Sequence, residues 1–308
     1  MRTFLYDLRT AVRLLWQSPG LATACILTLA LGIGANATIY AYAEAVLFRP
    51  LSVRDADRIV HVFERRDQPG TFPLPFSEYP AYLGRARSFE ALAAHYPTAP
   101  LHMLIDGTPE SVTGAVATAS YFDVLHLRPA IGRFYTNQED QQRDRDAVAV
   151  ISHSLSQRRF GGEIGVVGRS LNLNGRLFTI IGVAAQRFGG VQGRGAAVEV
   201  WIPSAMFRVG YRYCDAFAPN CNIVQLLGRL RRGVTLEQAQ RELDAIAMQF
   251  PSQEGRFRRL GVTVQSARGL NYAADSSERR QLDVFLGSVT LVLVITCANI
   301  AGLLLTPA

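Results

Sequence analysis

Two stretches of this chain carry no charged residue at all, 21–43 and 284–308. At about 1.5 Å of rise per residue, a helix over the first is roughly 35 Å long, enough to cross a hydrocarbon core of about 30 Å. The second is denser in Val and Leu, from Val289 to Ile295 and again at Leu303, Leu304 and Leu305. A buried helix of a soluble core would be shorter and would carry a polar stripe. Both runs are therefore expected to be transmembrane helices. A cleaved secretory signal is the rival for the first, with Arg2, Arg9 and Arg13 as its basic region and Ala41-Tyr42-Ala43 as its cleavage site. That basic region would be too long. Phe4, Leu5, Leu8, Val12, Leu15 and Trp16 instead line one helical face, the pattern of a helix lying in a membrane interface, and Ser18-Pro19-Gly20 ends it. The expected organisation is an interfacial helix over 1–20, a span over 21–43, a folded domain over 44–281 and a second span over 282–308.

Composition removes several chemistries. All 32 basic residues other than histidine are Arg, so there is no P-loop lysine, no Schiff-base lysine and no Ser-x-x-Lys nucleophile. The formal charge of +7 is compatible with nucleic acid or an anionic membrane surface, although a coding bias toward Arg explains it as well. Arg229, Arg231 and Arg232, and then Arg256, Arg258 and Arg259, lack the interleaved aromatics of a single-strand groove and read as solvated faces. No nucleic-acid partner is expected. His61, His95, His102, His126 and His153 show no paired ligand spacing, so no metal is assigned. Gly32-Ile33-Gly34-Ala35-Asn36-Ala37 fits the dinucleotide fingerprint by letters but lies inside an apolar run, where small residues serve helix packing. The loop from Gly189 to Gly195 lacks Walker spacing. Ser152-His153-Ser154 lacks the G-x-S-x-G elbow. No catalytic residue and no cofactor is assigned, and the chain is expected not to be an enzyme.

The middle segment reads as an α+β domain. Strands are expected over 59–63, 101–105, 111–118, 147–151, 223–230 and 260–265, with helices over 76–87, 121–127 and 235–250. Asn174-Gly175 between two β-forming runs marks a hairpin. Thr235 and Gln238 form a capping box and Pro251 a stop. Cys214 and Cys221 share a polar loop with Pro219 and Asn220, a spacing that closes a small disulfide ring in an oxidising compartment; two free thiols are the alternative. Counting Arg on either side of the first span gives a tie, so orientation rests on the cysteines.

Ser18-Pro19-Gly20, the run from Leu27 to Asn36, and Ala45-Val46-Leu47-Phe48-Arg49-Pro50-Leu51 resemble the first membrane helix of MacB/FtsX-type permeases, in particular the duplicated orphan permeases. Tyr121-Phe122, Gly132-Arg133-Phe134, Val150-Ile151-Ser152, Arg158 to Gly162, Val167-Gly168-Arg169 and Gly233 to Ala239 resemble the MacB-like periplasmic core domain. Cys297 to Leu304 resembles the second span. The resemblance implies an extracytoplasmic domain of two lobes, flanked by spans in the plasma (inner) membrane. It also implies a separate cytoplasmic ATP-binding subunit, and a homodimer or a pairing with another permease half. Ser156 stands where relatives carry Trp. Relatives also continue past the second span, so the chain looks like a truncated permease. A membrane-anchored extracytoplasmic sensor or binding module, or a non-functional permease fragment, is the alternative.

Overall fold

In a computed structural model of the chain, the described residues are 53–105, 108–162, 164–191, 197–251 and 257–267, with parts of 19–38 and 284–298. The chain divides into two compact units, Met1–Val46 with Ser276–Ala308, and Leu47–Asp275. Described residues of the first unit are helical. Ile26, Leu27, Ile33, Val284, Leu291, Val294 and Ile295 are 49–65% exposed there. Polar side chains in these runs bond back to their own helix: Asn36 Nδ2 donates to Gly32 O (2.7 Å), Thr38 Oγ1 to Gly34 O (2.8 Å) and Ser288 Oγ to Val284 O (2.6 Å). Among the described residues no helix is long and apolar enough to cross a membrane. The expected interfacial helix and most of both expected spans lie outside the described residues.

In the second unit, eleven described strands join one sheet. They are β1 Ile59–Arg66, β2 Leu74–Pro75, β3 Phe89–Ile105, β4 Thr108–Ala117, β5 Ile131–Gly132, β6 Val148–Ile151, β7 Ser170–Leu173, β8 Arg176–Val183, β9 Val200–Pro203, β10 Asn222–Leu230 and β11 Arg259–Ser266. The helices among them are α1 Tyr79–Arg85, α2 Ser120–Val124, α3 Asn137–Gln141, α4 His153–Phe160, α5 Phe207–Gly210 and α6 Leu236–Ala247. The order is β11-β1-β10-β3-β4-β9-β6-β8-β5, with β2 on β10. Strand β7 bonds to both β3 and β8, so β3, β4, β9, β6, β8 and β7 close into a ring. An open sheet and a closed ring share β3 inside one compact unit.

Alternation assigns the two faces. Val60, Val62, Leu226, Ile151 and Ile202 belong to one core cluster, while Ile59, Leu227, Val150 and Trp201 belong to the other. Successive strand residues point to opposite sides, so the sheet is buried on both faces. Tyr82 of α1 and Leu243 and Ile246 of α6 join the first cluster; Tyr121, Phe122 and Val124 of α2 join the second.

Local chemistry explains most of the elements. At the β7–β8 turn Asn174 and Gly175 take φ of 51° and 87°, the pair of left-handed residues that a two-residue hairpin needs. Pro80 sits in the first turn of α1, where its missing N–H costs nothing. Thr235 Oγ1 accepts from Gln238 N and Gln238 Oε1 from Thr235 N, capping α6. The expected helix over 235–250 ends early, at Ala247. Pro251 biases residue 250 away from helical geometry, and Phe250 packs on Tyr82 instead, ring centroids 6.1 Å apart. Strand β3 begins at Phe89, twelve residues before the expected start at 101. Its first half is rich in Ala, a weak β-former, and is held by pairing with β10 on one side. At Gly228 of that pair, an added Cβ would collide with the Phe89 ring.

Candidate functional site

The first and last strands of the domain are neighbours. β1 pairs antiparallel with β11 from Val60↔Ser266 to Arg66↔Arg259, and Ala267 N donates to Ile59 O (2.9 Å). The chain thus comes into the sheet and leaves it at one end, called here the near end. Segments 44–52 and 268–283, which lead to the apolar runs, both start there.

The near end is organised by arginines. Arg229 of β10 is fully buried, donating from Nε to Val124 O (2.7 Å) and from Nη2 to Arg54 O (3.1 Å). One side chain thus ties the incoming chain and the end of α2 to a central strand. Arg58 Nε donates to Leu230 O (2.8 Å), and its guanidinium pairs with Glu90 and, at 3.6 Å, with Asp55. His126 Nε2 lies 3.1 Å from Glu90 Oε1. Hydrogen bonding to Arg58 holds the Glu90 carboxyl below the usual carboxylate range. Asp55 and His126 both take φ of 50°, a left-handed conformation that non-glycine residues adopt only where surroundings fix it.

The far end is built from ion pairs. Arg259 Nη2 lies 2.8 Å from Glu78 Oε1 and 3.3 Å from Glu64 Oε2. Arg66 Nε reaches Glu64 Oε1 at 3.2 Å and stacks over Phe257 and Phe72, 3.4 and 4.3 Å from their centroids. Asn222 Nδ2 donates to Glu64 Oε2 (2.7 Å). Burial pushes Glu78 above the ordinary carboxylate range, against the pull of Arg259. Just before β10, buried Cys221 faces Cys214 with Cα atoms 5.9 Å apart, within the span that a disulfide bridges.

Two buried polar groups lie between. His61 and His95 face each other at 5.8 Å between centroids, with Tyr121 5.4 Å beyond His95. Burial pushes His95 down to about 3 and lowers His61 as well, so both stay neutral at ordinary pH. Asp140 accepts from Ser204 Oγ (2.8 Å), Ala119 N (3.0 Å) and Ala205 N (3.2 Å), which joins α3, the start of α2 and the end of β9; burial raises it to about 6.

The two arginine clusters seen in the sequence form no common face. Arg229, Arg231 and Arg232 are at the near end, Arg258 and Arg259 at the far end, and Arg256 lies outside the described residues. Ser152 is the N-cap of α4, its Oγ accepting from Leu155 N (3.0 Å). Gly32 and Gly34 are helical, and so are the described residues just before them, which is not the strand-to-helix setting that the fingerprint needs. Residues 192–196 of the glycine-rich loop lie outside the described residues. Among the described residues no group of three His, Cys, Asp or Glu could hold a metal. Ser156 is buried, with no partner for its hydroxyl. Sequence reasoning missed Glu64, Glu78, Glu90 and Asp140. Glu64 alone left a signal, a carboxylate continuing the apolar strand Ile59–Phe63.

The model of the MacB-like periplasmic core domain matches residues 23–246, and the chain belongs to that family. Over 142 residues it is 30% identical to the macrolide export ATP-binding/permease protein MacB of Chlorobium phaeobacteroides, covering 43% of this chain. The match spans only 21% of that relative. The fold is similar to the crystal structure of the periplasmic region of MacB from Actinobacillus actinomycetemcomitans, with a TM-score of 0.51 and 14% identity over 69% of this chain and 90% of that one. The extracellular domain of the noncanonic ABC-type transporter YknZ from Gram-positive bacteria aligns at a TM-score of 0.48, with 14% identity over 67% of this chain and 98% of that one. The family match and the MacB relative group the chain with MacB/FtsX-type permeases.

Proposed function

We propose that this chain is a non-catalytic permease subunit of an ABC-type transport or mechanotransmission system in the inner membrane. Residues 21–43 and 284–308 cross the bilayer, and 44–281 form the extracytoplasmic domain. A separate cytoplasmic ATPase supplies the energy, and the chain works as a homodimer or beside another permease half. One observation carries this reading: the incoming strand β1 and the outgoing strand β11 are hydrogen-bonded neighbours. Motion of one membrane helix against the other is thereby delivered to two adjacent strands of a single sheet. Apolar helical residues exposed in both terminal runs, and polar ones satisfied within the helix, support the spans. We further propose that Cys214 and Cys221 are bridged, as an extracytoplasmic location allows.

Two experiments test the reading. The chain is expected to co-purify with an ATP-binding protein and to have no ATPase activity alone; hydrolysis by the purified chain would sink it. After reduction, a membrane-impermeant thiol reagent applied to spheroplasts is expected to label Cys214. Exclusion of the reagent from folded protein reverses the orientation.

A further inference from the structure

Arginines at the near end divide into two sets. Arg58 and Arg229 are spent on internal contacts. Arg54, Arg87, Arg128, Arg231 and Arg232 are exposed, on four separate loops, and none forms an ion pair with a described carboxylate. Backbone contacts fix where these loops sit. Arg54 O accepts from Arg229, Arg87 O from Arg231 Nε (2.9 Å), Ser88 O from Arg231 N (2.9 Å), and Arg128 follows His126 by two residues. Arg231 and Arg232 fill the turn between β10 and α6.

Acids are present at this end, but several are already committed. Asp55 and Glu90 pair with Arg58, and Glu242 accepts from Arg87 N (2.6 Å) and Ser88 N (2.8 Å). Asp57, Asp123 and, in the first turn of α6, Glu237 remain exposed. Buried Arg229 hydrogen-bonds only to carbonyls, with Glu90, Asp55 and Asp57 as the carboxylates close enough to act on its charge. Elsewhere Arg65, Arg66, Arg133, Arg158, Arg159, Arg176 and Arg259 each pair with a carboxylate, while exposed Arg143, Arg208 and Arg212 pair with no described one.

We propose that the near end is a docking surface for anionic lipid headgroups, with these exposed guanidiniums binding the phosphates of the leaflet that the domain faces. Guanidinium groups match phosphate geometry with paired N–H donors. The connections are short: nine residues separate position 43 from Val53, and sixteen separate Ala267 from position 284. Each arginine near an anionic surface contributes about 1 kcal/mol, roughly a fivefold change in the docking equilibrium. Docked in this way, the end of the sheet where the chain comes and goes would be held at a defined distance from the bilayer.

This inference rests on the proposal that the apolar runs cross the membrane, and the test separates the two. The full chain is reconstituted in nanodiscs of phosphatidylcholine, alone or mixed with phosphatidylglycerol, and amide hydrogen exchange is followed at residues 231–234. Mixed discs are expected to slow that exchange roughly fivefold or more at low salt, with the difference disappearing at high salt. The quadruple variant R54Q/R87Q/R231Q/R232Q is expected to lose the difference while exchange in the β3–β4 ring stays unchanged. Equal exchange in the two lipids, or a lipid effect that survives in the variant, overturns the docking surface. Alkaline carbonate extraction of native membranes reads the spans independently. A chain released by carbonate refutes the spans, whereas one that resists extraction but ignores lipid charge refutes the docking surface alone.

Discussion

Among the described residues the domain buries two arginines, Arg229 and Arg259, at opposite ends of the same sheet, and holds them by different means. Arg259, on edge strand β11, sits between Glu64 and Glu78. Arg229, inside β10, has no carboxylate and bonds only to the carbonyls of Val124 and Arg54. Opposite charges fasten the far end, and their removal strands buried carboxylates. Backbone geometry fastens the near end, so Arg229 is satisfied only while the incoming chain and the end of α2 keep their places.

The sharpest way to break this contrast is R259M. It leaves Glu64 and Glu78 facing each other without their shared cation, an expected loss of about 3–5 kcal/mol in urea unfolding at neutral pH. Because burial already raises Glu78, the loss should shrink as pH falls and that carboxyl takes up a proton. Next comes the proposed bridge at the far end. Cys214 and Cys221 are seven positions apart, and a bridge closing so short a loop is worth about 2.5 kcal/mol. Dithiothreitol should lower the unfolding midpoint accordingly, and denatured, unreduced protein should show neither thiol to a labelling reagent; labelling of both refutes the bridge. R229M should cost about 2 kcal/mol, since it orphans two carbonyls but no charge. If R229M costs more than R259M, the contrast fails.

The smallest effect is a slope. His95 is pushed down to about 3 in the fold and returns to about 6.5 when unfolded. The unfolded chain therefore binds the extra proton, so this group's contribution is complete above pH 6.5 and is lost as pH falls toward 3. The loss is about 1.4 kcal/mol per pH unit. Asp140, raised to about 6, works in the opposite sense between roughly pH 6 and 4, because there the folded state holds the extra proton. H95F should flatten the acid limb of a stability–pH profile, and an unchanged limb would mean that His95 is not neutral in the fold.

What the sequence disclosed followed local chemistry. Asn174-Gly175 marks its hairpin because only a few residue pairs tolerate that turn, and Thr235 with Gln238 marks the start of α6 because the cap is made within four residues. The first half of β3 was hidden, since Ala91, Ala93 and Ala94 become strand only by pairing with β10 and packing against both core clusters. Strand β9, Val200–Pro203, is too short and too uniformly buried to alternate. The arginines deceived for a related reason. Arg229, Arg231 and Arg232 look like one cluster, yet the first belongs to a strand interior and the others to the turn that follows. The ion cluster of Glu64, Glu78 and Arg259 joins residues nearly two hundred positions apart, a distance that no local pattern spans.

Strand β3 carries one more consequence. Its seventeen residues run from the near end, beside Arg229, into the closed ring. At about 3.3 Å per residue, and allowing for twist and the irregularity between Tyr96 and Ala99, it is a rod of roughly 50 Å. A tilt of about ten degrees imposed at its start would sweep its tip through roughly 9 Å, given that length. The ring cannot absorb such a tilt by shearing, because each of its six strands is bonded on both sides. A small displacement imposed beside the two chain connections would thus arrive enlarged at the opposite tip of the strand.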